Sequence, residues 1–201
     1  FTVMARHVNK MGRVPMIRMD MIKDMDLKVP DNFEELYEVL KAFKEAYPDS
    51  APWTNRNGTS SLLSAIAFPM GVTYNMEFDP DVNGGEWTYG TVRPEFKDVL
   101  AYVNRLYKEG ILDPDYAVNT AQQWQEKLSS GKSYFYYDNG SFSINFNKAL
   151  EAEGYKDAFG PLPIMENSKG QRRTWYYEPH WYGTCYVVSS KVEDPENVMK
   201  F

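Results

Sequence analysis

Two stretches of this chain bury their apolar residues together only if they are helical. Phe33, Leu36, Tyr37, Leu40 and Phe43 recur at a 3.6-residue period, as do Phe96, Val99, Leu100, Val103, Leu106 and Tyr107. Each stretch carries its own boundary signals. Val29-Pro30-Asp31-Asn32 opens the first, where Asn32 with Glu35, or Asp31 with Glu34, has capping-box spacing, and Tyr47-Pro48-Asp49 closes it. Pro94 opens the second and Gly110 ends it. Around them lie apolar runs too short for helices, at 14–18, 133–137 and 184–189. Amphipathic helices therefore alternate with short strands along the chain.

The remaining punctuation fills in this plan. Helical turns are expected at 20–25, a helix from Thr59 with Leu62, Leu63 and Ile66 inward, and another from about Ser143 to Glu153. Thr120 and Gln123 form a further capping box, with Trp124 and Leu128 inward and Gly131 as the stop. Tyr74 to Phe78 and Trp87 to Tyr89 read as a hairpin around the turn-rich segment 79–85. Gly160-Pro161-Leu162-Pro163 is extended, and 173–177 is a strand. Asp194 and Pro195 suit the cap and first position of a helix that has room for only two turns before Phe201. With Phe1 rather than Met at the start, this reads as a piece excised from a larger protein.

At 201 residues and 43% hydrophobic, one domain with a sizeable core is expected over 1–201. The net charge of −6 disfavours nucleic acid as a partner. No apolar run reaches membrane-span length. A single cysteine, Cys185, sits in an apolar strand and excludes an internal disulfide. His7 and His180 lie far apart, without metal or triad spacing. Asp79, Asp81, Asn83 and Gly84 match the first half of a calcium loop, but the twelfth place, which needs a bidentate Glu, is Gly90. There is no Gly-rich phosphate loop and no G-x-S-x-G. No metal, no cofactor and no catalytic group are therefore expected.

The chain is 15% aromatic, which leaves two readings open: rings tucked into the core, or rings stacking on sugar-like solutes. Two loops expose aromatic and polar residues together. One is Asp138-Asn139-Gly140-Ser141-Phe142, and the other runs from Glu178 to Gly183 through His180, Trp181 and Tyr182. The polar loop 51–58 adds Trp53, beside Asn55 and Arg56. The candidate ligand-binding residues are thus Asp138, Asn139, Phe142, His180, Trp181, Tyr182 and Trp53.

The ordered motifs resemble the family 1 extracellular solute-binding proteins of bacterial ABC importers. The resemblance runs through Ile17-Arg18-Met19-Asp20, Leu27-Lys28-Val29-Pro30 and Phe33-Glu34-Glu35-Leu36. It continues through Pro94-Glu95-Phe96-Lys97, 106–114, 124–132 and Gly160-Pro161-Leu162-Pro163 to Tyr186-Val187-Val188-Ser189. Met21 stands where that family often has tryptophan, and segment 47–52 is shorter than the acidic loop that sometimes holds calcium. The resemblance implies an α/β fold with helices around a small mixed sheet, the second lobe of a type II periplasmic-binding-protein fold, its missing N-terminal lobe lying outside this chain. It implies non-catalytic capture of a carbohydrate or other small solute and its delivery to an ABC transporter permease. It also implies an extracellular place, as a cell-surface lipoprotein or in a periplasm. By the same resemblance, Phe142, Trp181 and Tyr182 face the cleft. A carbohydrate-active enzyme domain and a ligand-free interaction domain are the alternatives.

Overall fold

The computed structural model describes residues 2–6, 13–79, 81–174, 182–187, 189, 191–194 and 197–198. In chain order the elements are β1 (Thr2–Arg6), β2 (Val14–Arg18), α1 (Met19–Asp24), α2 (Phe33–Ala46), α3 (Gly58–Ala67), β3 (Met76–Asp79), β4 (Glu86–Tyr89), α4 (Phe96–Lys108), α5 (Ala121–Ser129), β5 (Phe135–Asp138), α6 (Phe142–Ala152), β6 (Phe159–Pro161) and β7 (Tyr182–Val187). The chain, read from sequence as one domain, divides into two compact units, Arg13–Trp175 and Phe1–Gly12 with Tyr176–Phe201.

In the smaller unit β1 pairs antiparallel with β7, with a shift in register at Ala5/Arg6. Asp194 accepts the Asn197 N–H at 3.0 Å, as an N-cap does. Residues 197 and 198 are helical, at the place the sequence reading assigned to a helix start.

The larger unit is built on the three-stranded sheet β5-β2-β6, antiparallel throughout. Its pleat sorts the side chains. Ile17 of β2 and Phe135 and Tyr137 of β5 join one apolar cluster, while Met16 and Tyr136, their immediate neighbours in sequence, join another. The first cluster takes the buried faces of α2, α3 and α4, and the second those of α5 and α6. Helices therefore cover both faces of the sheet.

Local chemistry explains the helix starts. Asn32 accepts the Glu35 N–H at 2.9 Å, and Glu35 answers by accepting the Asp31 N–H at 2.9 Å, one residue before the usual capping-box partner. Thr120 and Gln123 form the full box on α5. α3 departs from expectation. It starts at Gly58, with no side-chain cap, because Asn57 takes a left-handed φ of 62° that turns the chain into the helix. On α4 the buried face is Phe96, Val99, Tyr102, Val103 and Leu106. Leu100 and Tyr107, expected inward, are about half exposed, so the stripe lies one position round from the sequence reading. The strand expected over 173–177 is not seen at Arg173 and Thr174. The Arg173 guanidinium is instead drawn inward, donating to Asp79 at 2.9 Å and lying over the Phe68 ring at 4.0 Å. Residues 175–177 lie outside the described residues.

One close approach fixes the β3–β4 hairpin against the loop before it. A Cβ on Gly90 would stand 1.7 Å from the Thr73 carbonyl oxygen, which is backbone and cannot swing away. Gly90→Ala is expected to lower stability by about 2–3 kcal/mol, as overpacking does. Urea denaturation of the full-length protein checks this, and an unchanged midpoint would contradict the contact.

Candidate functional site

The geometry starts at Trp53. Its backbone bridges in parallel to Phe135 of β5 and to Leu112. Segments 54–56, 113–119 and 138–141 therefore leave these strands at the same edge. β2 runs the other way, so its first residue, Val14, stands opposite Asp138 at that edge. Both ends of this unit are there too, with the Thr174 hydroxyl donating to the Arg13 carbonyl at 3.5 Å. Carboxyl ends of parallel strands are where open α/β sheets receive ligands, because the loops there are held by the strands but leave the layers uncovered.

Two of the three loops are locked by one buried carboxylate. Asp113 accepts from the Thr54 hydroxyl at 2.7 Å, from Asn119 Nδ2 at 2.8 Å, and from Lys127 Nζ at 2.9 and 2.7 Å through its two oxygens. Lys127 also reaches Asp115 at 3.1 Å and Asn119 Oδ1 at 3.0 Å. Burial by itself would push the Asp113 carboxyl up. The hydrogen bonds from Lys127, Thr54 and Asn119 outweigh burial and hold it below the usual carboxylate range.

From this locked loop Arg56 reaches across to the third. Its Nε donates to Asp138 Oδ2 at 2.8 Å. Its guanidinium lies 4.8 Å from the Trp124 ring and 4.6 Å from the Phe142 ring, in the corner those two rings make by meeting edge to face at 5.2 Å and 86°. Trp124 is buried, Phe142 half-buried, and the Arg56 side chain 19% exposed. Asp138 Oδ1 accepts the Asn139 N–H at 2.7 Å, and Asn139 Oδ1 accepts the Ser141 N–H at 3.0 Å. The turn is thus held in shape from within, while Asn139 and Ser141 stay exposed.

Asp138, Asn139 and Phe142 are brought together as one surface. Trp53 is not part of it, and here the sequence reading is corrected. Trp53 is 1% exposed, with its ring edge-on to Phe135 at 4.5 Å and to Tyr102 at 6.5 Å. Its bridging backbone carries it into the sheet, so the ring serves the core. His180 and Trp181 lie outside the described residues. Tyr182 opens β7 opposite Arg6, and only its backbone is described. The residue missed by sequence reasoning is Arg56. It was visible as the one base in the polar loop 51–58, but nothing in the chain order pointed to Asp138, 82 residues away.

A sizeable concavity in this unit lies elsewhere. A groove of about 810 Å³ lies at the far end of β2, lined by Arg18, Asp20, Tyr47, Lys132, Tyr134 and Tyr155 among others. Its buried arginine already has a partner, since Nε and Nη2 of Arg18 both donate to Asp20, at 2.8 and 2.6 Å. The half-calcium motif is engaged as well, because Arg173 holds Asp79 at 2.9 Å and Asp81 at 3.3 Å.

The profile of the family described as bacterial extracellular solute-binding protein matches residues 8–201. This chain belongs to that family. Among relatives of these solute-binding proteins, the polygalacturonan/rhamnogalacturonan-binding protein YtcQ of Bacillus subtilis is 30% identical over 176 residues, covering 85% of this chain and 34% of YtcQ. Lipoprotein LipO of the same organism is 29% identical over 170 residues, covering 78% of this chain and 33% of LipO. The crystal structure of the alginate-binding protein AlgQ2 without calcium ion superimposes with a TM-score of 0.69 at 25% identity, covering all of this chain and 42% of AlgQ2. The chain spans about a third of the length of these curated relatives. The α/β fold expected from the sequence, one lobe of the periplasmic-binding type, is the fold observed. Among the described residues, no helix of this solute-binding protein is long and apolar enough to cross a membrane.

Proposed function

We propose that this chain is the second lobe of a two-lobed protein that captures an extracellular oligosaccharide, leaves it chemically unchanged and delivers it to an ABC transporter permease. The observation that carries the reading is the convergence of Arg56, Trp124, Phe142, Asp138 and Asn139 on the edge where both chain ends of the larger unit lie. A half-exposed ring beside exposed polar groups suits a sugar, whose faces are apolar and whose rim is hydroxyl. The loop carrying His180, Trp181 and Tyr182 is proposed to add further contacts, and the missing N-terminal lobe to close over the solute by a hinge motion. Relatives named for binding polygalacturonan/rhamnogalacturonan and alginate, and one named as a lipoprotein, support a carbohydrate ligand and a place outside the cell, at the surface of the membrane or in a periplasm.

Titration calorimetry of the full-length protein against a panel of neutral and acidic oligosaccharides tests the proposal. Binding of at least one glycan at micromolar or tighter Kd, with the glycan recovered intact, is the expected result. Binding of peptides or metals alone, or release of new reducing ends, would overturn it.

A further inference from the structure

The acids placed at this edge already have cations. Asp138 is held by Arg56, and Asp113 and Asp115 by Lys127. The arginines, however, keep N–H groups that these pairs do not use. The Arg13 side chain donates to the Ser61 carbonyl at 2.7 Å and the Ser64 hydroxyl at 3.0 Å, and has no carboxylate partner among the described residues. Arg56 uses Nε alone, and neither of its terminal nitrogens has a hydrogen-bond partner among the described residues. Its plane is fixed by two rings and by a loop that the Asp113 network locks. A guanidinium so held presents its outer pair of N–H groups in a set direction, without the entropy that a mobile arginine loses on binding.

The helices reinforce the sign. α3, α5 and α6 all start at this edge, and none has an acidic residue in its first turn. By contrast α1, α2 and α4 each carry one or two there, namely Asp20, Glu34 with Glu35, and Asp98. Acidic residues in a first turn offset the positive end of the helix dipole. At this edge that offset is missing three times, in a chain whose net charge is −6.

We infer that the solute received here carries a carboxylate, as a uronate-bearing oligosaccharide does, and that Arg56 is the residue that selects it. This rests on the oligosaccharide reading above. The outer N–H pair matches a carboxylate bidentately. The Phe142 ring, half-exposed beside it, is placed to cover a sugar face, and Asn139 to take a hydroxyl.

The test uses the full-length protein and uronate trimers (galacturonate, mannuronate and glucuronate), each as the free acid and as its methyl ester, which differ only in the charged group. The wild type is expected to bind one free acid about tenfold or more tightly than its ester. Affinity for that acid should fall as salt rises, and affinity for the ester should not. Arg56→Gln should bring the ratio close to one, with Arg56→Lys between, since lysine keeps the charge but not the fork. The salt series needs no variant, so a misfolded Arg56→Gln protein leaves the question answerable. Equal binding of acid and ester by the wild type would overturn the inference, as would an equal loss for both in Arg56→Gln. Binding of neutral glycans with no binding of uronates overturns it while the oligosaccharide reading stands. No glycan bound at all overturns both.

Discussion

Trp53→Ala is expected to lower the stability of the full-length protein by about 3–5 kcal/mol, the range for emptying a buried tryptophan site. Trp53 fills the meeting point of β5, α4 and the 112–113 strand segment, with Phe135 and Tyr102 as its ring neighbours. Its backbone also donates to the Ile111 carbonyl and accepts from the Asp113 N–H, so the site cannot collapse freely to fill a void. Trp53→Phe is the control. It keeps most of the ring packing, and it removes an indole N–H that is buried and has no hydrogen-bond partner among the described residues, so no hydrogen bond is lost. It should cost much less, and leave glycan affinity within about twofold. Denaturant unfolding and calorimetry on the same samples decide the matter. A large loss of affinity at unchanged stability would return Trp53 to the binding surface and displace the core assignment.

Lys127→Met is expected to cost about 3–5 kcal/mol at neutral pH, because it leaves Asp113 buried without its cation. The melting temperature should fall by about 10 °C. The pH dependence gives this prediction its sign. The folded Asp113 carboxyl is held below its unfolded range, so the stability it contributes is present in full above about pH 5 and is lost as pH falls through its lowered folded value. Once Asp113 is protonated, Lys127 no longer has its charge to neutralise. The gap between wild type and Lys127→Met should therefore narrow steadily below about pH 4. A gap that stays constant from pH 7 to pH 3 would mean that the lysine acts through packing of its stem and not through Asp113.

Much of the fold was legible before any coordinates. Phe33, Leu36, Leu40 and Phe43 are buried as their period requires, and Asn32 and Thr120 cap the helices they were expected to cap. These are local rules, satisfied within one or two turns of chain. Leu100 and Tyr107 show where such rules weaken. An apolar residue at the margin of a stripe is buried or exposed according to what packs beside it, and on α4 the neighbours favour Tyr102, whose hydroxyl donates to the Phe33 carbonyl at 2.9 Å. Trp53 departs from its local pattern for a related reason. Polar neighbours in sequence made it look like a loop residue, yet Asn55 and Thr54 are themselves buried, bonded to partners some 60 residues away.

The sequence by itself determined most of the elements and the family. Capping, periodicity and the order of short motifs depend on neighbours within a few residues, and that information is complete in one chain. Only the tertiary structure decided which residues meet at the proposed site. Asp138 and Phe142 could be read as a turn with a ring, but the charge of that turn is set by Arg56, its rigidity by Asp113 and Lys127, and its platform by Trp124. Those residues are scattered from Arg56 to Phe142 and meet because parallel strand segments deliver three loops to one edge. A binding surface assembled from ends of strands has no local signature, since what it recognises is fixed by groups that become neighbours only on folding.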